Sequence, residues 1–214
     1  MNKRGIFIVL EGLDRSGKSS QCKRLFDYFI SNEMQCEMMN FPKRDIQTGK
    51  MINEYLKNSD TKLCDEAIHL LFSTNRWEMK EYINNKINEG VSIICDRYAY
   101  SGVAYSHAKG LDFDWCCQSD KGLPHPDLVL FVNTTASEIA SRSGFGEERY
   151  EKEEFQDKVY NAYQKLVTLE PRWESIEGSG QSVDQIYEQI IEKVKGKLET
   201  YENDNLHITN SLFM

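Results

Sequence analysis

Gly12-Leu13-Asp14-Arg15-Ser16-Gly17-Lys18-Ser19 decides how the rest of the chain is read. Before it runs Ile6-Phe7-Ile8-Val9-Leu10, a short apolar run rich in β-branched residues, which predicts a buried parallel strand. After it, Cys22, Leu25, Phe26, Phe29 and Ile30 recur at i, i+3, i+4, i+7 and i+8, the stripe of an amphipathic helix. A G-x-x-x-x-G-K-[ST] segment between a strand and a helix reads as a phosphate-binding loop. The bare pattern arises by chance in roughly one chain of this length in a hundred, and the flanking elements lower that further. Its glycines let successive backbone N–H groups point at one anion, and the helix N-terminus adds partial positive charge. Lys18 is expected to reach the β- and γ-phosphates of a nucleotide, and the Ser19 hydroxyl to ligate Mg²⁺.

The remaining composition narrows the class. With 214 residues the chain has room for one domain and a full core. Lys and Arg number 26 against 34 Asp and Glu, and the net charge of −8 argues against a nucleic-acid binder or a membrane-surface protein. No stretch approaches a transmembrane span, and residues 1–5 lead straight into the first strand, so no secretory leader is expected. Cys22, Cys36, Cys64, Cys95, Cys116 and Cys117 form no C-x-x-C pair, which predicts reduced thiols in a cytosol-like compartment rather than zinc or disulfides. His69, His107, His125 and His207 form no metal-like cluster.

Taken in order, the chain alternates. Gln35 to Pro42 is a weaker strand ended by proline, and Met51, Ile52, Tyr55 and Leu56 mark a short helix. One longer helical region is expected from about Cys64 to Asn88, closed by Gly90. Val91-Ser92-Ile93-Ile94-Cys95 and Leu128-Val129-Leu130-Phe131-Val132 read as buried strands, with a fifth near Trp173 to Glu177. Arg142 to Arg149 is polar and Gly-containing and reads as a surface loop. Phe155, Val159, Ala162, Tyr163 and Leu166 stripe the next helix. A Ser182/Gln185 capping box opens the last helix, lined by Val183, Ile186, Tyr187, Ile190, Ile191 and Val194. Periodicity fades from Tyr201, and 201–214 is expected to be a flexible tail. The alternation predicts an α/β fold, a doubly wound and mostly parallel sheet with ligands at its carboxyl edge.

A phosphate loop alone does not choose among a switch GTPase, a motor and a small-molecule kinase. No N-K-x-D base-reading segment is present, and the length leaves little space for motor machinery. What the chain does carry is a set of arginines at predicted strand and helix ends: Arg15, Arg44, Arg76, Arg97, Arg142 and Arg149. Each alone reads as a surface cation. Together, in a chain already holding a nucleotide, they suit a second phosphate-bearing substrate, because guanidinium forks grip phosphate oxygens in pairs.

These segments resemble the thymidylate kinase family in its eukaryotic form. The likeness is carried by residues 11–20 with Asp14-Arg15 inside the loop, by Phe41-Pro42-Lys43-Arg44, by residues 69–78, and by 96–105 beginning Asp96-Arg97-Tyr98. Gly122-Leu123-Pro124, Pro126-Asp127 and residues 145–151 extend it over about three quarters of the chain.

The resemblance implies a P-loop NTPase-like sandwich, a five-stranded parallel sheet flanked by helices with a lid at about 142–151, in a single nucleoside monophosphate kinase domain over 1–200. It implies phosphoryl transfer from Mg²⁺-ATP to dTMP in dTTP synthesis, by a cytoplasmic or nuclear homodimer. Arg15, Ser16, Gly17, Lys18, Ser19, Ser20 and Arg142 would meet ATP, with Arg15 an arginine finger supplied in cis. Asp14 would lie near the sugar 3′-hydroxyl, Phe41 would belong to the dTMP site, Phe72 would stack on thymine, and Arg76 would donate to its O4. Arg44 and Arg97 would hold the acceptor phosphate, and Asp96 would join Ser19 at the metal. Ser101 and Gly102 would lie near the base, Tyr105 near the ribose, and Tyr150 and Gln156 on the lid side. The catalytic set is then Arg15, Lys18, Asp96 and Arg97. A kinase of another or additional monophosphate, such as dUMP or dGMP, and a non-catalytic P-loop module are the rival readings.

Overall fold

In the computed structural model, which describes residues 4–58, 60–141, 146, 148–203 and 212–213, every apolar run read as a strand forms one. In chain order the elements are β1 (Phe7–Gly12), α1 (Lys18–Ser31), β2 (Cys36–Asn40), α2 (Gln47–Lys57), α3 (Asp65–Trp77), α4 (Lys80–Asn88) and β3 (Ser92–Asp96). There follow α5 (Ala99–Ala108), α6 (Phe113–Gln118), β4 (Leu128–Asn133), α7 (Ala136–Ala140), α8 (Glu153–Val167), β5 (Trp173–Glu177) and α9 (Val183–Asn203).

The five strands pair in parallel in the order β2-β3-β1-β4-β5. β1 is central, and the chain winds outward on either side of it, which opens a crevice at the carboxyl ends. Register places Leu10 beside Asp96 and Gly12 beside Val132, so the loop after β1 emerges next to the tip of β3. Helices cover both faces. Phe7, Val9, Ile93, Cys95, Val129 and Phe131 point to one side, where α4, α5 and α8 deliver Ile83, Ile87, Val103, Ala104, Val159 and Tyr163. Ile8, Leu10, Ile94, Leu128, Leu130 and Val132 point to the other, against Cys22, Leu25 and Phe29 of α1 and Ile186, Ile190 and Val194 of α9. This is the period-two alternation of a strand buried on both faces, each large side chain contributing roughly 2 kcal/mol by leaving water.

Three expectations are corrected. The helix foreseen from Cys64 to Asn88 is interrupted at Glu78 and Met79, giving α3 and α4. The Met79 N–H bonds the Arg76 carbonyl at 3.0 Å, an i+3 bond that tightens the turn, while the Trp77 indole N–H is anchored on the Ser119 carbonyl at 2.7 Å. Ile30 and Val183, placed in apolar stripes, are half exposed because they sit at the margins of their helices' contact with the sheet. Residues 201–203 complete the last turn of α9, since the apolar stripe continues through Leu198 onto the core. Further on, Leu212 is buried, its N–H bonding the Leu123 carbonyl at 3.0 Å, and the Phe213 ring meets Tyr100 edge-on at 5.7 Å. Residues 204–211 and 214 of the expected tail lie outside the described residues. Among the described residues no helix is long and apolar enough to cross a membrane.

Candidate active site

The loop after β1 holds its cations in unusual backbone. Gly17 has φ 98° as it opens α1, and Arg15 adopts φ 57°, left-handed for a non-glycine residue. Lys18 is 4% exposed; its ammonium donates to the Leu13 carbonyl and to Ser16 Oγ (3.2 Å). Burial, reinforced by the neighbouring Arg97 and opposed by Asp96, Asp14 and Glu11, lowers its pKa to about 8. Ser19 Oγ donates to Asp96 Oδ2 at 2.5 Å. Asp96 Oδ1 is buried with no hydrogen-bond partner among the described residues. Ser16 is buried beside Lys18, and Ser20 is exposed on the first turn of α1.

Beside this loop lies an open cleft, lined by Asp14, Phe41, Phe72, Arg76, Arg97, Ser101, Gly102, Tyr105 and Tyr150 among others. Arg97, following β3 with φ 67°, is the hub. Its Nη2 donates to Asp14 Oδ1 at 2.6 Å, and its Nη1 to the Gly12 carbonyl and to Ser101 Oγ, both at 3.0 Å. The Tyr105 ring lies 5.3 Å from the Arg97 guanidinium, and burial pushes the Tyr105 phenol well above its ordinary range. Gln156 of α8 clasps Asp14 from the other side, accepting from its N–H (3.2 Å) and donating to Oδ2 (2.8 Å). Arg76 lies at the inner wall, and Phe72 is half-buried against Ile52, Tyr55, Leu56 and Ile68.

The outer arginines are engaged with carboxylates of residues 148–151. Arg15 Nε bonds Glu151 Oε1 at 2.9 Å, and the Arg44 guanidinium reaches Asn53 (2.8 Å) and Glu148 (3.2 Å), a cleft-lining carboxylate. Arg149 does not join the cleft. It braces α2, donating to the carbonyls of Tyr55, Asn58 and Thr61. Arg142 lies outside the described residues.

Sequence reading passed over three contributors. Glu11 is completely buried and accepts from the Tyr98 and Ser101 N–H groups (2.8 and 3.2 Å), from Ser101 Oγ (2.5 Å) and from the Tyr163 hydroxyl (2.9 Å). It stands in the quoted motif, yet its partners are distant in sequence. Asp120 pairs with Arg76, and Lys109 lines the cleft while bonding Asp65 at 2.9 Å. For these two no sequence signal points to the site.

A parallel sheet with a phosphate loop at the carboxyl end of its central strand, and a second cleft of arginines and aromatics beside it, defines a P-loop phosphotransferase architecture built for two anionic ligands. The family description "Thymidylate kinase" matches residues 10–190. A thymidylate kinase of Schizosaccharomyces pombe is 48% identical over 96% of each chain, and that of Homo sapiens 42% identical over 88% of this chain and 89% of its own. The solved thymidylate kinase from Candida albicans is 39% identical, with a TM-score of 0.84 over 99% of this chain and 98% of that one. The chain belongs to the thymidylate kinase family.

Proposed function

We propose that this protein transfers the γ-phosphoryl group of ATP to dTMP, giving dTDP and ADP. The observation that carries the reading is adjacency: the phosphate loop meets the tip of β3 through Ser19 and Asp96, and the next residue, Arg97, pairs with Asp14 and lines the neighbouring cleft with Phe72 and Arg76. An acceptor phosphate is already largely ionised at neutral pH, its second pKa being about 6, so no general base is required. Its oxygen attacks the γ-phosphorus; the new P–O bond forms as the bond to the β,γ-bridging oxygen breaks and ADP departs. The barrier is repulsion between two polyanions, and fixed positive charge lowers it.

Lys18 and the loop N–H groups are assigned to the donor phosphates together with Ser16, Gly17 and Ser20, and Arg15 to the γ-phosphate. Arg97 and Arg44 take the acceptor phosphate. Phe72 stacks on the base with Phe41 nearby, and Arg76 donates to its carbonyl. Ser101 and Gly102 border the base, Tyr105, Asp14 and Gln156 the sugar, and Tyr150 the lid side. Ser19 and Asp96 suit Mg²⁺: a hydroxyl and a carboxylate with one free oxygen are hard donors, and the ion would neutralise charge on the phosphates. Closure of the lid segment over the cleft would exclude water.

A homodimer is supported by Leu63, Leu70 and Trp77, exposed at 40, 46 and 36% and spaced seven apart along and just before α3. A monomeric mass by light scattering at micromolar concentration contradicts that assignment. Six free cysteines fit a reducing compartment such as the cytoplasm.

The test is ADP release measured with each nucleoside monophosphate in turn. Turnover that depends on the acceptor and prefers dTMP supports the reading; ATP hydrolysis indifferent to any monophosphate overturns it. Because the Candida albicans relative is described as broad in substrate specificity, dUMP and dGMP belong in the series.

A further inference from the structure

Arg76 is 2% exposed at the inner wall of the cleft, and beside it Asp120, two residues beyond α6, is fully buried. The pair is bidentate, Nε to Oδ1 at 3.1 Å and Nη2 to Oδ2 at 2.7 Å. Ser73, one turn before Arg76 on α3, donates to the same Oδ1 at 2.8 Å and to the Ser119 carbonyl at 2.9 Å, so the carboxylate is itself held in place. Gly102 of α5 sits flush against the guanidinium: a Cβ added there would lie 2.6 Å from Nη2 and 3.0 Å from Nη1. Nε and one edge of Nη2 are thus committed to Asp120, and Nη1 is the nitrogen left to serve the cleft that Arg76 and Gly102 both line.

A guanidinium carries N–H donors and no acceptor. A base offering a carbonyl to this wall gains a charge-assisted hydrogen bond, whereas one offering an amino group sets donor against donor. An arginine free to swing would relax that distinction. We propose that Asp120 and Gly102 are specificity-determining positioning residues, which fix Arg76 so that the protein selects a 4-oxo over a 4-amino pyrimidine monophosphate. The inference rests on the assignment of Arg76 to the base. A merely structural ion pair would affect stability without touching the choice between bases.

The discriminating substrates are dTMP and 5-methyl-2′-deoxycytidine monophosphate, which differ at the 4-position and the adjacent N3 proton. kcat/KM for both is measured in Asp120→Asn, Gly102→Ala and Arg76→Ala, with folding checked by thermal melting. In the first two, the preference for dTMP is expected to fall roughly tenfold or more, the scale of a charge-assisted hydrogen bond. The change is expected mainly in KM for dTMP, the signature of weakened base binding. Gly102→Ala places a better helix former in α5, so it tests the geometry even if Asp120→Asn fails to fold. A folded Gly102→Ala protein with an unchanged preference overturns the inference while Arg76→Ala abolishes that preference. If Arg76→Ala also leaves it unchanged, the assignment of Arg76 to the base falls as well.

Discussion

Lys18 shows what a single residue contributes and what it costs. Its ammonium is buried, and the pKa of about 8 lies below the ordinary 10.5. Between those values the unfolded chain binds more protons than the folded one, so stability rises as pH climbs through that window. Below it the cost of burying the cation is present in full, roughly 3 kcal/mol. Donor phosphates favour the charged form. Nucleotide binding near pH 8.5 is therefore expected to take up a proton, seen calorimetrically as an enthalpy that varies with the ionisation heat of the buffer. Equal enthalpies in Tris and phosphate contradict this. Lys18 and Ser19 were legible because their chemistry is local, fixed by spacing within one loop. Asp120 was not, because its meaning comes from Arg76, 44 positions away. Arg149 was misread for the same reason: a guanidinium that braces α2 and one that awaits phosphate look alike in a string of letters.

At the scale of elements, α5 depends on a neighbour for its start. Tyr98, its N-cap, makes no side-chain cap bond, and Glu11 from the end of β1 supplies the acceptor instead. The carboxylate also meets the positive end of the helix dipole. It ties the phosphate strand to the helix carrying Ser101, Gly102 and Tyr105. Glu11→Ala orphans up to four buried donors and is expected to destabilise the fold by about 3 kcal/mol or more in urea unfolding. Glu11→Gln, which keeps the shape and can rotate the two hydroxyls, is expected to cost clearly less. A loss under about 1 kcal/mol in the alanine variant contradicts the capping role. Strands β1, β3 and β4 were readable from their apolar runs, whereas β5, Trp173-Glu174-Ser175-Ile176-Glu177 with one fully buried side chain, was poorly signalled; the Ser182/Gln185 box was readable from its spacing, its two bonds forming at 2.8 and 3.2 Å. The break between α3 and α4 was hidden because no Gly or Pro marks it. The last turn of α3 is tied to Ser119 and Asp120, a tertiary cause that periodicity does not record.

Across the whole molecule, the sheet brings the phosphate loop together with the β3 tip, 83 residues on, and with α8, 142 residues on, and the resulting cleft gathers cations that an overall charge of −8 conceals. The architecture was legible because alternating strands and helices leave few ways to wind a parallel sheet. The carboxylates that meet its arginines were not: Glu151 on Arg15, Asp14 on Arg97 and Glu148 on Arg44. Each arginine is thereby held near the place where a phosphate would compete for it. The most direct test of this electrostatic mechanism is steady-state turnover of Arg15→Ala with saturating ATP and dTMP. The expected result is a kcat lowered about a thousandfold, the scale of an arginine finger, with KM for dTMP nearly unchanged. A kcat equal to that of the unaltered protein contradicts it.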